Sequence, residues 1–278
     1  MSKGIVTRQP VYFISHGGGP WPWMPEQLET VYAKLAQSLA ALLPSLPQRP
    51  KAILMVSAHW EESQFTVQTT LKPDMIYDYG GFPEHTYRVH YPSDGSPVLA
   101  QRVTELLQAA KIEVRQNAQR GYDHGMFSPM QVINPIADIP VVQLSLKRGL
   151  DPQTHIELGR ALAPLRDENV LIIGSGLSYH NLGMFNYLAA KPSQAFDEWL
   201  YTAVVEHKGE QRNQFLNAWE QAPAARMAHP REEHLLPLMV AAGAAEQEEA
   251  VRSYHETQFV GGLWVSNFAF GQHNLTAV

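Results

Sequence analysis

The sequence predicts an α/β fold, with a central mostly parallel or mixed sheet flanked by helices, as a single domain over residues 1–278. Four short runs carry the strand half of that expectation: VYFIS (11–15), AILMVSA (52–58), PVVQLSL (140–146) and NVLIIGS (169–175). They are rich in β-branched residues and apolar on both alternating faces, as strands covered on both sides are. Helical patterns lie between them, and strand alternating with helix is the signature of a layered α/β architecture. A length of 278 residues is within what such enzymes build around one core.

In chain order, 11–15 reads as the first strand and 26–43 (EQLETVYAKLAQSLAALL) as a helix with Leu and Ala at three- and four-residue spacing. A strand over 52–58 and a helix over 96–109 follow, then strand 140–146, helix 153–166 and strand 169–175. The last third reads mostly helical, with segments 193–207, 210–220 and 231–243, before a final strand within 261–270. Pro230 suits a first helical turn, and Glu232 and Glu233 complement the positive end of a helix dipole. No internal repeat, low-complexity tract or Ser/Gly linker interrupts the chain, and the prolines are scattered as loop punctuation.

Composition excludes several function classes. There are no cysteines, which removes disulfides, thiolate zinc sites, iron–sulfur clusters and thiol nucleophiles, so any metal must use nitrogen and oxygen donors. Net charge is −6 and the basic residues form no run that could track phosphates, which argues against nucleic acid as a partner. No apolar stretch reaches membrane-spanning length, and the N-terminus lacks the pattern of a signal peptide, so cytoplasm is the expected location.

Twelve histidines is a generous count, and their placement is informative. In open α/β sheets the site lies at the carboxyl ends of the strands. His16 directly follows VYFIS, His59 directly follows AILMVSA, and His180 follows NVLIIGS after four residues. A single such histidine is most simply a structural loop residue, but three delivered to one sheet edge suit a metal, because neutral imidazole is the commonest biological ligand. His234 and the adjacent acids Glu232 and Glu233 could reach the same edge and complete a three-ligand site with open coordination positions. His124, in the glycine-flanked Gly121-Tyr122-Asp123-His124-Gly125, is a candidate acid/base beside such a metal. The aromatic-rich segment from Ile76 to Tyr91 reads either as a folded lid or as a wall on which a planar substrate stacks. The remaining histidines, 85, 90, 155, 207, 229, 255 and 273, read as surface or packing residues.

SHGGG (15–19), SAHW (57–60), YDYGGFP (77–83), HYPSDGSP (90–97), YDHG (122–125), VVQLSL (141–146), SGLSYHNL (175–182) and EEHLLPL (232–238) together resemble the DOPA 4,5-dioxygenase family of class III extradiol ring-cleaving dioxygenases, in order over nearly the whole chain. The resemblance implies a mononuclear non-haem iron(II) site in an α/β fold, although zinc often occupies such sites in purified members. It places His16 and His59 at the two histidine ligands and His234 at the third, with Glu233 as the alternative. His180 matches an active-site base that could instead be a fourth ligand, and His124 matches a second active-site histidine. The implied substrates are a catechol-type aromatic diol and O2. One departure stands out: the first strand is followed by His16-Gly17-Gly18-Gly19-Pro20-Trp21-Pro22-Trp23, where members commonly read His-Gly-Ser-Pro, so the pocket beside His16 is expected to suit a different diol from DOPA.

The same residues admit three rival readings. HGGG also resembles the oxyanion loop of esterases, but Ile173-Gly174-Ser175-Gly176 lacks the second glycine of a nucleophile elbow. A zinc hydrolase could use the same histidines, with a bound water whose pKa falls to about 7. A non-catalytic binding module of this fold is the third, and it would have no need of His124 and His180.

Overall fold

The computed structural model describes residues 8–271; His273, read above as a surface or packing residue, lies outside them. Its strands are β1 (Val11–Ser15), β2 (Ala52–Glu62), β3 (Phe65–Gln68), β4 (Val114–Asn117), β5 (Val141–Lys147), β6 (Val170–Gly176), β7 (Ala250–Phe259) and β8 (Leu263–Phe270). They form one mixed sheet in the order β4-β3-β5-β2-β6-β1-β8-β7. The four apolar runs are its centre: β5, β2, β6 and β1 are consecutive neighbours, all parallel. Antiparallel pairs appear at the margins, β3 on β5 and β8 on β1 and β7.

The helices are α1 (Pro25–Glu29), α2 (Ala33–Ala40), α3 (Pro97–Ala109), α4 (His124–Ile133), α5 (Pro152–Leu162), α6 (Ala190–Tyr201), α7 (Gly209–Asn217), α8 (Ala225–Ala228) and α9 (Leu236–Ala244). The expected helix over 26–43 is broken between α1 and α2. Thr30 there turns its hydroxyl back onto the Glu26 carbonyl at 2.6 Å, a local bond that competes with the helical ladder. The expected helix over 231–243 starts only at Leu236, so His234 sits on a turn rather than inside a helix.

The alternation of β6 shows how the two faces are covered. Gly174 and Gly176 point to the turn leading into α9, while Ser175 points the other way and donates to the Gly125 carbonyl of α4 at 2.5 Å. Ser175 is therefore fully buried and engaged, which removes it as the nucleophile of an esterase. The apolar faces of all these elements merge into one continuous buried core.

Candidate metal centre

His16 continues the β1 ladder, its N–H donating to the Gly176 carbonyl at 3.1 Å. Its own carbonyl accepts the Trp21 indole N–H at 2.7 Å. Gly17 makes that closure feasible: its φ is +77°, and a Cβ there would lie 2.3 Å from the indole nitrogen. Trp21 is thus fully buried behind His16 rather than facing a pocket, and Trp23 packs 5.8 Å from Phe127. The altered loop braces the histidine from behind.

His59 lies inside β2, not just after it. The pairing of β2 with β5 shifts register between Val56 and Glu61, and its pairing with β6 ends at Ser57. His59 therefore sits where the strand has left both neighbours and can aim its ring into the site. His234 is fixed by its carbonyl, which accepts from Leu177 N–H at 3.1 Å. A Cβ on Gly176 would stand 2.1 Å from that carbonyl oxygen, so only glycine lets the turn close on the strand end.

The three imidazoles meet. One ring nitrogen from each of His16, His59 and His234 falls within a group whose atoms all lie within 4.8 Å of one another. In each ring Nδ1 faces an acceptor: the Gly17 carbonyl at 2.6 Å for His16, Asp78 Oδ2 at 3.3 Å for His59, and Glu233 Oε1 at 3.0 Å for His234. Holding the proton on Nδ1 leaves the lone pair on Nε2. His16 Nε2 is buried with no partner among the described residues, and the Nε2 atoms of His59 and His234 stand 3.3 Å apart. Converging lone pairs, one of them orphaned, form a donor set that could hold a transition-metal cation.

Protonation agrees. Burial foremost, then the neighbouring imidazoles, holds His16 and His234 well below the ordinary histidine range, and His59 is lowered to about 4 by burial and His124. All three are neutral near pH 7, the form that binds metal.

The two further predicted histidines flank this set. The His124 ring lies 4.0 Å from that of His59, with Nδ1 2.8 Å from Asp78 Oδ1. His180 stacks on His234 at 3.4 Å and 17°, its Nδ1 3.4 Å from Glu233 Oε1, and stands outside the three-histidine group. Burial opposes the charge on both carboxyls, but the hydrogen bond from His124 holds Asp78 below its usual range and that from His180 does the same for Glu233. Glu232, the other neighbouring acid, is turned to Arg226 at 2.6 Å.

Asp78 is the residue that sequence reasoning missed. It lies between Tyr77 and Tyr79 in the segment read only for its aromatics. That segment packs as a lid: the Tyr77 and Tyr79 hydroxyls donate to the Val89 and Thr86 carbonyls at 2.8 and 2.6 Å. The Tyr79 ring also stands 5.8 Å from His124, so the lid borders the histidine cluster. Among the histidines set aside as packing, His155 and His229 are fully buried and hydrogen-bonded to the Asp151 and Ser178 carbonyls.

A mixed α/β sheet whose parallel strand ends bring three neutral imidazoles together, those of His16 and His234 buried and that of His59 partly so, is the frame of a metal-dependent enzyme with nitrogen donors. Residues 10–269 match the family described as the catalytic LigB subunit of aromatic ring-opening dioxygenase. The chain is 38% identical over 270 residues to the 4,5-DOPA dioxygenase extradiol of Beta vulgaris, covering 96% of each protein. Identity to the protein of that name from Escherichia coli K12 is 34%, covering 95% of this chain and 96% of the relative. The crystal structure of an uncharacterized protein from Escherichia coli K12 superposes with a TM-score of 0.75 at 32% identity, covering 95% of this chain and all of the other. The chain belongs to the LigB family and is a metal-dependent extradiol ring-cleaving dioxygenase. Among the described residues no helix is long and apolar enough to cross a membrane.

Proposed function

We propose that His16, His59 and His234 hold one iron(II) ion through Nε2, and that a catechol-type diol is opened there by O2 with His124 and His180 moving the protons. The observation that carries this reading is the buried convergence of three Nε2 atoms whose partner nitrogens are all tied to acceptors. Bound iron(II) would supply open positions for diol and O2 and the redox chemistry that zinc lacks.

The chain's own residues account for the rest. His124 and His180 each commit Nδ1 to a carboxylate, which leaves Nε2 to accept a phenolic proton from the arriving diol or return one as the ring opens. His180 is read as a proton carrier rather than a fourth ligand, because it stacks on His234 instead of joining the group. Tyr79, half-buried and 5.8 Å from His124, offers a face for a planar ring, with buried Phe127 packed behind it at 6.3 Å. The relatives named 4,5-DOPA dioxygenase extradiol support the diol class.

The test is anaerobic reconstitution with iron(II) followed by exposure to a panel of catechols in air. A yellow, pH-sensitive ring-fission product with oxygen uptake, absent in His59→Ala, is expected. Zinc-loaded protein should give none. Absence of product and of oxygen uptake with every diol would overturn the proposal.

A further inference from the structure

β2 leaves the sheet before it ends. Its register with β6 stops at Ser57 and its register with β5 is interrupted from Val56 to Glu61, so His59 lies where neither neighbour supplies a regular ladder. Backbone polar groups in such a stretch need other partners. The His59 N–H donates to the Ser57 hydroxyl oxygen at 3.2 Å, and the His59 carbonyl is approached by Arg120 Nη2 at 3.5 Å. Both of these side chains rest on one carboxylate. Ser57 donates to Asp123 Oδ1 at 2.7 Å, and Arg120 Nη2 donates to Asp123 Oδ2 at 2.8 Å.

Asp123 is fully buried, and Gln143 Nε2 gives it a third donor at 2.7 Å. A carboxylate this deep is stable only where a counter-charge and hydrogen bonds answer it, and Arg120 is that counter-charge. Asp123 also stands just before α4, a position where aspartate usually caps its own helix, yet its side chain makes no capping bond. Its oxygens are turned to β2 instead. The fit between the two elements is close: a Cβ on Gly125 would stand 2.6 Å from Ser57 Oγ and 3.0 Å from His59 Cδ2. The Arg120 guanidinium is steadied in turn by the Trp60 ring, 4.9 Å away. We propose that Asp123 is a positioning residue which, through Ser57 and Arg120, takes the place of the sheet ladder at His59 and keeps that ring aimed at the metal. The inference rests on the reading of His59 as a ligand.

The probe is cobalt(II), followed by its absorption spectrum and by competition against a chelator, with thermal midpoints of the metal-free proteins measured alongside. Ser57→Ala, Asp123→Asn and Arg120→Met each break one part of the linkage, and Leu162→Ala, in the buried face of α5, is the control for lost stability alone. Cobalt affinity should fall about tenfold or more in the first three, with an altered spectrum, because groups that orient a ligand are worth about 10–100-fold. Arg120→Lys should recover part of the loss, since an ammonium can still pair with Asp123. Leu162→Ala should lower the midpoint and leave affinity and spectrum at the parent level. Ser57→Ala removes a single oxygen, so it decides the matter even where Asp123→Asn does not fold. Parent-like affinity and spectrum in Ser57→Ala would overturn the proposal, as would an equal loss of affinity in Leu162→Ala. His59→Ala tests the underlying reading separately: it should bind cobalt far more weakly, and unchanged binding there would remove the ligand assignment and the proposal with it.

Discussion

The metal centre has two flanks built from the same parts in different ways. On one, Asp78 uses separate oxygens for two histidines, Oδ2 toward His59 and Oδ1 toward His124. On the other, Glu233 turns a single oxygen to His234 and His180, while its Oε2 lies 3.4 Å from Arg231. Asp78 belongs to a loop held to the body through its tyrosines, whereas Glu233 is one residue from a histidine clamped onto β6. Each carboxylate thus ties one inner histidine to one outer histidine. The Asp78 flank depends on the lid being in place, and the Glu233 flank depends on the sheet.

Neutralising the two carboxylates separates these flanks. Asp78→Asn is expected to lower metal affinity and turnover together by about 10–100-fold, because a carboxylate that orients a ligand is worth that much and this one also holds His124. Glu233→Gln should cost less, since a glutamine oxygen can still accept from one ring N–H. Metal titration beside steady-state kinetics checks both variants, and a larger loss in Glu233→Gln would reverse the ranking.

Acid should act through the inner histidines. With the His59 pKa lowered to about 4, the unfolded chain takes up protons between about 6.5 and 4 that the metal-free folded protein refuses. Stability of the metal-free protein is therefore fully present above about pH 6.5 and falls as pH drops through that window, by roughly 3 kcal/mol from His59 alone. Buried His155 and His229, also near 4, add to the same slope. Thermal midpoints at pH 7, 5.5 and 4 measure it, and a flat profile would contradict the neutral cluster. Smaller still, Gly176→Ala pushes a methyl group against the His234 carbonyl and is expected to cost about 1–3 kcal/mol. Its loss of metal affinity should resemble that of Glu233→Gln rather than Asp78→Asn.

The same contrast explains how much could be read in advance. The central strands were legible because burial on both faces forces continuous apolar runs, and β1, β5 and β6 fall within a residue or two of those runs. Of the marginal strands β8 was, within 261–270, and the others were not: β3 and β4 are four residues each, and β7 mixes Arg252, Ser253, Glu256 and Thr257 with its buried positions. All five predicted histidines come together, because a strand end or a helix start fixes where each side chain leaves the backbone. Glu233 was visible because it adjoins His234, whereas Asp78 reaches His124 across 46 positions through a loop fold that no local periodicity records. In the tryptophan loop the aromatic content is apparent in the sequence, whereas the burial of Trp21 behind His16 is not; Trp23 is only half-buried.

Three overlapping groups could in principle seat an ion: His16 with His59 and His234, His59 with Asp78 and His124, and His180 with Glu233 and His234. Anomalous diffraction from crystals of the iron(II)-loaded protein, collected at the metal edge, decides among them. A single peak at bonding distance, about 2.0–2.2 Å, from the Nε2 atoms of His16, His59 and His234 is the predicted result. A peak held by Asp78 or Glu233, with His16 Nε2 still unbound, would contradict it.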